Sequence, residues 1–445
     1  MEGLWPLQNR RWPCCQSRQE NQGRKWMMIS DNEAYVWIWL PGQVEPVVAG
    51  RLEAENGRLS FTYGKSYLSR IKQTPAAIPI YEPELPLGRG VIQPPEGLEM
   101  PGCIRDAAPD AWGRRVIINK CLGLKGAGID PAQLDEITYL LESGSDRIGA
   151  LDFQRSPTNY EARAAKNATL EELLASADRV EKGIPLTPEL DQALFHGSSI
   201  GGARPKALIE DGGKKYIAKF SSTTDIYNVV KAEYIAMRLA AIAGLSVAPV
   251  RLTSVANRDI LLIERFDREH TAKGWARKAV VSALTILGLD DMMARYASYE
   301  DFAEIIRHRF ANPIEALREL FTRLVFNVLC GNTDDHARNH AAFWDGRQLQ
   351  LTPAYDICPQ GRTGNEASQA MLIAGQNNLS QLATCLKAAP SFLLSPSEAE
   401  DIFDHLISTI NTHWADVCDE AALSTVDANL LWQRQFLNPF SLQRS

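Results

Sequence analysis

The chain reads as an α+β protein in three successive parts, and three observations lead there. Residues 34–63 alternate short β-type runs with turn residues. Residues from about 190 to 270 mix strand and helix signals. From about 298 to the end the pattern is mostly helical, interrupted by a hairpin near 341–351. Composition agrees: of 445 residues, 45% are hydrophobic and 23% charged, enough apolar material for a sizeable core. The net charge of −7 excludes nucleic-acid binding through a global positive field. No apolar run reaches the roughly 18 residues that a membrane span needs. The longest candidate, Tyr234 to Val250, is broken by Arg238 and Gly244. The eight cysteines form no CxxC, and only Cys14 and Cys15 are close, which points to a reducing, cytoplasmic compartment. His336 and His340 stand four apart, with nothing nearby that reads as a third zinc ligand.

The elements follow in order. Met1 to Lys25 is basic, has no continuous apolar stretch, and reads as a disordered arm or a start codon placed too early; Met27 or Met28 would serve as a start. Ala34–Leu40 is a buried strand ended by Pro41-Gly42. Val47–Leu52 and Leu59–Tyr63 join it in an antiparallel sheet, with a turn at Asn56-Gly57. Residues 74–102 are proline-rich loop and short strand. Pro109 to Cys121 is helical, with Pro109 in the first turn. Thr169-Leu170-Glu171-Glu172 is a capping box, and Leu170, Leu173, Leu174, Ala177 and Val180 make one helical face that ends at Gly183-Ile184-Pro185.

Four motifs carry chemistry. Ser198-Ser199-Ile200-Gly201-Gly202-Ala203-Arg204-Pro205-Lys206 has the small residues that let backbone N–H groups approach phosphate oxygens, although a Gly-Gly pair alone also fits a plain turn. After the Asp211-Gly212-Gly213 turn, Lys214–Phe220 is a strand on which Ile217 and Lys219 share a face, a cation beside an apolar surface. Asp225 to Gly244 is a helix whose Glu233 falls among apolar neighbours and needs a cationic partner, with Lys219 the obvious candidate. Last, Asn332-Thr333-Asp334-Asp335-His336-Ala337-Arg338-Asn339 follows the apolar helix Leu320–Cys330, and a hairpin turning at Asp345-Gly346 leads to Leu351-Thr352-Pro353-Ala354-Tyr355-Asp356. That hairpin brings Asp334, Asn339 and Asp356 together. Two carboxylates and an amide oxygen suit Mg²⁺, with one carboxylate left as a base.

The running order is a Gly-rich loop, a strand Lys, a helix Glu, Asp-x-x-x-x-Asn and a post-hairpin Asp. It is the order of a protein kinase, and the Asp-plus-five spacing selects Asp334 over Asp335. No His-Arg precedes the Asp, and Pro-Ala-Tyr-Asp stands in place of Asp-Phe-Gly. These motifs, with Ile263-Glu264-Arg265-Phe266-Asp267-Arg268 and Asp106-Ala107-Ala108-Pro109-Asp110-Ala111-Trp112-Gly113-Arg114-Arg115, resemble the HipA family of bacterial serine/threonine-protein kinase toxins over roughly residues 34 to 435.

The resemblance implies a two-lobed, protein-kinase-like fold: an N-terminal subdomain over 29–160, an ATP-binding lobe over 161–268 and a helical catalytic lobe over 269–445. It implies that Gly201, Gly202, Ala203, Arg204, Pro205 and Lys206 cover the ATP phosphates, that Lys219 holds α/β-phosphate oxygens, and that Glu264-Arg265-Phe266 lies at the adenine, with Glu264 and Phe266 offering hinge backbone groups. Asp334 would orient or deprotonate the attacking hydroxyl, His336 would lie beside the nucleotide, and Asn339 and Asp356 would bind Mg²⁺. Ser199 aligns with an autophosphorylated serine, and Ser198 is its rival. Asp335 stands where glycine is common and is expected to add negative charge near the metal. The family further implies a helix-turn-helix antitoxin, HipB-like, that alone touches DNA, and a protein substrate such as an aminoacyl-tRNA synthetase. Two other readings use the same residues: a small-molecule phosphotransferase, and a non-catalytic scaffold that only binds the antitoxin.

Overall fold

The computed structural model describes residues 31–122, 134–163, 169–181, 184, 204–221, 225, 227–362 and 364–444. The basic arm, Cys14 and Cys15, the Gly183 and Pro185 helix stop, and Ser198 to Ala203 of the Gly-rich motif lie outside them.

The first sheet is antiparallel, in the order β4-β3-β2-β1-β5. Its strands are β1 (Glu33–Trp39), β2 (Pro46–Glu55), β3 (Arg58–Tyr63), β4 (Val91–Ile92) and β5 (Leu151–Gln154). The β2–β3 turn is Asn56-Gly57, with both residues at positive φ (51° and 77°), the two-residue hairpin geometry that suits this dipeptide. The unbroken apolar run of β1 has a physical cause. Val36 and Ile38 enter the main core, while Trp37 and Trp39 on the opposite face lie under Tyr160, and Trp39 also under the Arg277 guanidinium. Both faces are covered, so no alternation is needed.

The second sheet has the order β6-β7-β9-β8, built from β6 (Lys206–Asp211), β7 (Lys214–Phe220), β8 (Val250–Val255) and β9 (Arg258–Glu264). Its back face (Ala207, Ala218, Phe220, Ile260 and Leu262) packs on Trp112 and on Leu173, Leu174, Ala177 and Val180 of the helix Leu170–Glu181. That helix starts with the expected box: Glu172 N–H donates to Thr169 Oγ1 and Thr169 N–H to Glu172 Oε2. The front face carries Leu261 and Ile263, which share a core with Val230, Tyr234 and Met237 of the helix Val229–Ile242. Two helices start later than the sequence suggests. Val229–Ile242 is capped by Asn228, not opened at Asp225. The helix Ala111–Leu122 is capped by Asp110, whose Oδ1 accepts from Gly113 N–H at 3.0 Å, so Pro109 precedes it.

The helical half is organised around Pro313–Cys330, with Leu320, Phe321, Leu324, Val325, Phe326 and Leu329 fully buried, flanked by Tyr299–Arg309 and Pro396–Glu420. A hairpin β10 (Arg268–Thr271) and β11 (Gly274–Arg277) precedes a small sheet of β12 (Val280–Ser282), β13 (Ala341–Trp344) and β14 (Leu349–Leu351). The sheet with its helix and the helical half are the two lobes of a protein-kinase-like fold. The N-terminal sheet is an added β-rich module. Among the described residues no helix is long and apolar enough to cross a membrane, and the described cysteines are all free thiols.

The module is joined to the lobes through buried charges. Asp267 accepts from Arg265 (2.8 Å), Arg268 (2.9 Å) and the Gly149 N–H (2.8 Å). Asp146 accepts from Arg265, Arg268 and Lys215 at 2.8–3.0 Å. Burial alone would raise the Asp267 carboxyl, but Arg265 and Arg268 outweigh it and hold it below the ordinary range. Asp267→Ala leaves two buried guanidinium groups with Asp146 as their one shared carboxylate, and it is expected to cost about 3–5 kcal/mol in urea unfolding monitored by circular dichroism.

Candidate functional site

The cleft between the lobes is built around one lysine. On β7, Ala218 and Phe220 face the back core, so Lys219 and Ile217 face the front. The helix Val229–Ile242 packs on that front face and carries Glu233, which is buried. Lys219 Nζ donates to Glu233 Oε1 at 2.5 Å and, through a still shorter contact, to Asp356 Oδ1. Burial by itself would lower the Lys219 amine, but the two carboxylates raise it well above an ordinary lysine. One ammonium shared by two carboxylates satisfies them unequally. Burial raises the Glu233 carboxyl despite Lys219, whereas Asp356 is held at about 2 because Lys219 and Lys206 outweigh its burial.

Asp356 arrives by a backbone device. Ala354 forms a parallel bridge to Val247, its N–H bonding Ser246 O at 2.7 Å and its carbonyl accepting from Ala248 N–H at 2.9 Å. The chain thus runs from the end of the Glu233 helix alongside the segment that carries Asp356. Asp356 itself adopts φ +58°, a left-handed conformation that aspartate tolerates better than most residues with a side chain.

The loop 331–339 begins where Gly331 ends the long helix in the left-handed conformation (φ +73°); a Cβ there would lie 2.7 Å from Gln435 O. Asn332 is buried and bonded to Asn327. Asp334 then stands exposed, and Asp335 turns inward. Asn339 Nδ2 donates to Asp334 O at 3.2 Å, which leaves its Oδ1 as an acceptor. Burial, Asp356 and Asp335 raise the Asp334 carboxyl, and His336 opposes them. His336 Nδ1 is buried without a partner among the described residues.

Several expectations change. Asp335 sits beneath the loop: it is 2% exposed, accepts from the Tyr299 hydroxyl and pairs with His340 Nε2 at 3.0 Å, and its charge still raises the Asp334 carboxyl. The Arg265 side chain is committed to Asp146 and Asp267, not to a ligand in the cleft. Glu264 has its N–H bonded to Pro249 O and its carboxylate to Lys214, so any backbone group it offers at a hinge is its carbonyl. Phe266 packs instead against Tyr355 and Phe343, an apolar floor. Arg204 pairs with Asp225 at 2.8 Å, and Pro205 O accepts from Phe220 N–H. Lys206 does enter the site, directly opposite Lys219 across the β6–β7 ladder. Gly201, Gly202, Ala203, Ser198 and Ser199 lie outside the described residues. Asp110, beside Lys206, was not legible as a site residue: the sequence places it inside a helix opened by Pro109 and within the 106–115 stretch that carries the family resemblance.

The donor chemistry fits Mg²⁺. No three His, Cys, Asp or Glu side chains gather as a metal cage among the described residues. Two oxygen donors, Asn339 Oδ1 and Asp356, do flank the cleft. A small cation that dehydrates reluctantly needs only one or two protein ligands when phosphates supply the rest.

Comparison with known proteins follows this geometry. A family described as HipA-like C-terminal domain matches residues 198–414, and one described as HipA N-terminal domain matches 38–154. Y4mE of Sinorhizobium fredii, provisionally named a kinase, is 26% identical over 348 residues, 72% of this chain and 76% of that protein. The serine/threonine-protein kinase toxin HipA of Shewanella oneidensis is 26% identical over 183 residues, 36% of this chain and 42% of that protein. The solved complex of Shewanella oneidensis HipA with HipB and operator DNA superposes with a TM-score of 0.65 at 18% identity, over 92% of this chain and 99% of the matched one, a likeness of fold. Both halves of the architecture are thereby matched along most of the chain, and the protein belongs to the HipA family.

Proposed function

We propose that the protein is an ATP- and Mg²⁺-dependent serine/threonine kinase. The observation that carries this is Lys219 joined to both Glu233 and Asp356, with the Asp356 charge acting on Asp334 and Asn339 bonded to the Asp334 carbonyl. A γ-phosphoryl transfer needs little covalent chemistry from the protein; it needs held phosphates and an oriented hydroxyl. Lys219 and Lys206 grip phosphate oxygens, under a cover formed by Gly201 to Lys206. Asn339 and Asp356 hold Mg²⁺, which when bound neutralises phosphate charge. Asp334, exposed toward solvent, orients the acceptor hydroxyl and takes its proton. His336 lies beside the nucleotide, where its unpartnered Nδ1 gains a bond. The adenine side falls to the Phe266 backbone and the Phe266, Phe343 and Tyr355 rings.

The acceptors in this reading are a protein serine, with an aminoacyl-tRNA synthetase as one candidate class, and the chain's own Ser199 or Ser198. A phosphate dianion there would compete for the cations that hold ATP, so the modification would switch the enzyme off. A HipB-like helix-turn-helix partner in the cytoplasm, through which alone DNA is contacted, fits the family and the partner present in the matched complex. The intact Lys219, Asp334 and Asp356 set speaks against a purely scaffolding role.

Incubation with labelled ATP and Mg²⁺, followed by mass spectrometry, tests the proposal. Phosphate is expected on Ser199 or Ser198, or on a lysate protein. Asp334→Ala is expected to slow transfer by roughly 10²- to 10⁴-fold. Nucleotide binding without any protein phosphorylation, but with turnover of a metabolite, would make it a small-molecule phosphotransferase. A protein that binds no ATP would be a scaffold. The pH profile supplies a second check. The base acts ionised, so the rate falls as pH drops through its pKa; burial, Asp356 and Asp335 raise that carboxyl while His336 opposes them. An acid limb that persists unchanged in Asp334→Ala would remove Asp334 from the role.

A further inference from the structure

The N-terminal module reaches the cleft through one side chain. Asp110 caps the helix Ala111–Leu122, and its Oδ1 is occupied by the Gly113 N–H. Its other oxygen, Oδ2, is buried and makes no hydrogen bond among the described residues, yet it lies 3.9 Å from Lys206 Nζ. Lys206 is itself buried, 3% exposed, at a strand position where β6 faces Lys219 on β7. Lys219, Glu233 and Asp356 all act on the Lys206 charge, so it belongs to the same electrostatic cluster as the central lysine. Two ammonium groups on adjacent strands repel each other, and each needs a counter-charge. Lys219 has Glu233 and Asp356. For Lys206, on which Asp356 and Glu233 also act, Asp110 of the other module is the carboxylate that acts most strongly.

The position of Asp110 is not incidental. Two residues on, Trp112 is fully buried against Ala207 and Ala218, on the back of the two strands that carry the lysines. Trp112 therefore clamps the start of the helix to the sheet, and Asp110 is held at a fixed place relative to Lys206. Burial raises the Asp110 carboxyl to about 6 against the pull of Lys206, which still leaves it ionised at neutral pH. Arg338, next to Asn339, also acts on it from the catalytic loop.

We propose that Asp110 is a positioning residue for nucleotide phosphate, holding the Lys206 ammonium charged and aimed into the cleft, so that the N-terminal module completes the phosphate subsite. Asp110 touches no substrate; it acts through Lys206, as Glu233 acts through Lys219. This rests on the kinase reading above, and it makes the module part of the catalytic machinery and not only a platform for partners.

The informative variant is Asp110→Asn. Asparagine caps a helix as well as aspartate does, so the fold is kept and only the charge is removed. Steady-state kinetics and direct titration with Mg·ATP would compare wild type, Asp110→Asn, Lys206→Met, the double variant and Lys219→Met. Lys206→Met is expected to weaken ATP roughly ten- to hundredfold, as loss of a charged hydrogen bond does. Asp110→Asn is expected to weaken it about tenfold, in line with outer-shell partners generally, with the loss falling on KM for ATP and not on kcat. The double variant is expected to be no worse than Lys206→Met, because Asp110 has nothing left to position. Unchanged ATP affinity in Asp110→Asn, with affinity lost in Lys219→Met, would overturn the assignment and leave the kinase reading standing. A loss in the double variant equal to the two single losses multiplied would also overturn it. Absence of ATP binding by the wild type would overturn both.

Discussion

A lysine ammonium buried in the cleft is the constraint around which the site is arranged. Lys219 is forced to the front of β7 because Ala218 and Phe220 are needed behind it. An ammonium there is costly unless carboxylates reach it. The front-packing helix supplies Glu233, and the bridge between Val247 and Ala354 delivers Asp356 from the helical lobe. This three-membered charge contact joins the lobes, together with the Arg238–Glu420 pair and the bonds of Ser246 to Glu319 and Arg323.

A second buried network plays the corresponding structural part. Asp146 and Asp267 gather Arg265, Arg268 and Lys215, while Asp152 pairs with Arg147 and Arg163. These residues come from the N-terminal module, from β7 and from the segment after β9, so the network ties the added module to the lobe that holds the lysines. Buried ion pairs contribute little net stability over apolar packing, but they tolerate few alternative geometries. That rigidity suits a place where two modules must keep a fixed relation. It also explains why Glu-Arg-Phe-Asp-Arg carries so much charge beside a cleft: most of it faces inward.

The arginine and aspartate assignments show where reading along the chain meets its limit. Asp334 and Asp335 are adjacent, and kinase spacing favours the first. The second satisfies Tyr299 and His340 beneath the loop, so its charge reaches Asp334 while its oxygens stay inside. Arg265 sits inside a hinge-like motif, yet its guanidinium is drawn to Asp146, 119 residues earlier in sequence. Arg204 is drawn to Asp225 in the same way. In each case the backbone position was legible and the direction of the side chain was not, because direction depends on which opposite charge the fold brings near.

Local order was determined by the sequence alone. The Asn56-Gly57 turn, the Thr169–Glu172 box, the face of Leu173, Leu174, Ala177 and Val180, and the shared face of Ile217 and Lys219 all follow from backbone sterics and side-chain period, which act within a few residues. The running order of motifs was also enough to name the family. The Lys219–Glu233 pair was also legible, from a carboxylate placed among apolar neighbours. Tertiary structure alone decided the other charge partners: that Asp356 shares Lys219, that Asp335 is buried, and that Asp110 of the N-terminal module stands beside Lys206. Coulomb energy depends on distance in space and on local dielectric, and neither is written in the separation of residues along the chain.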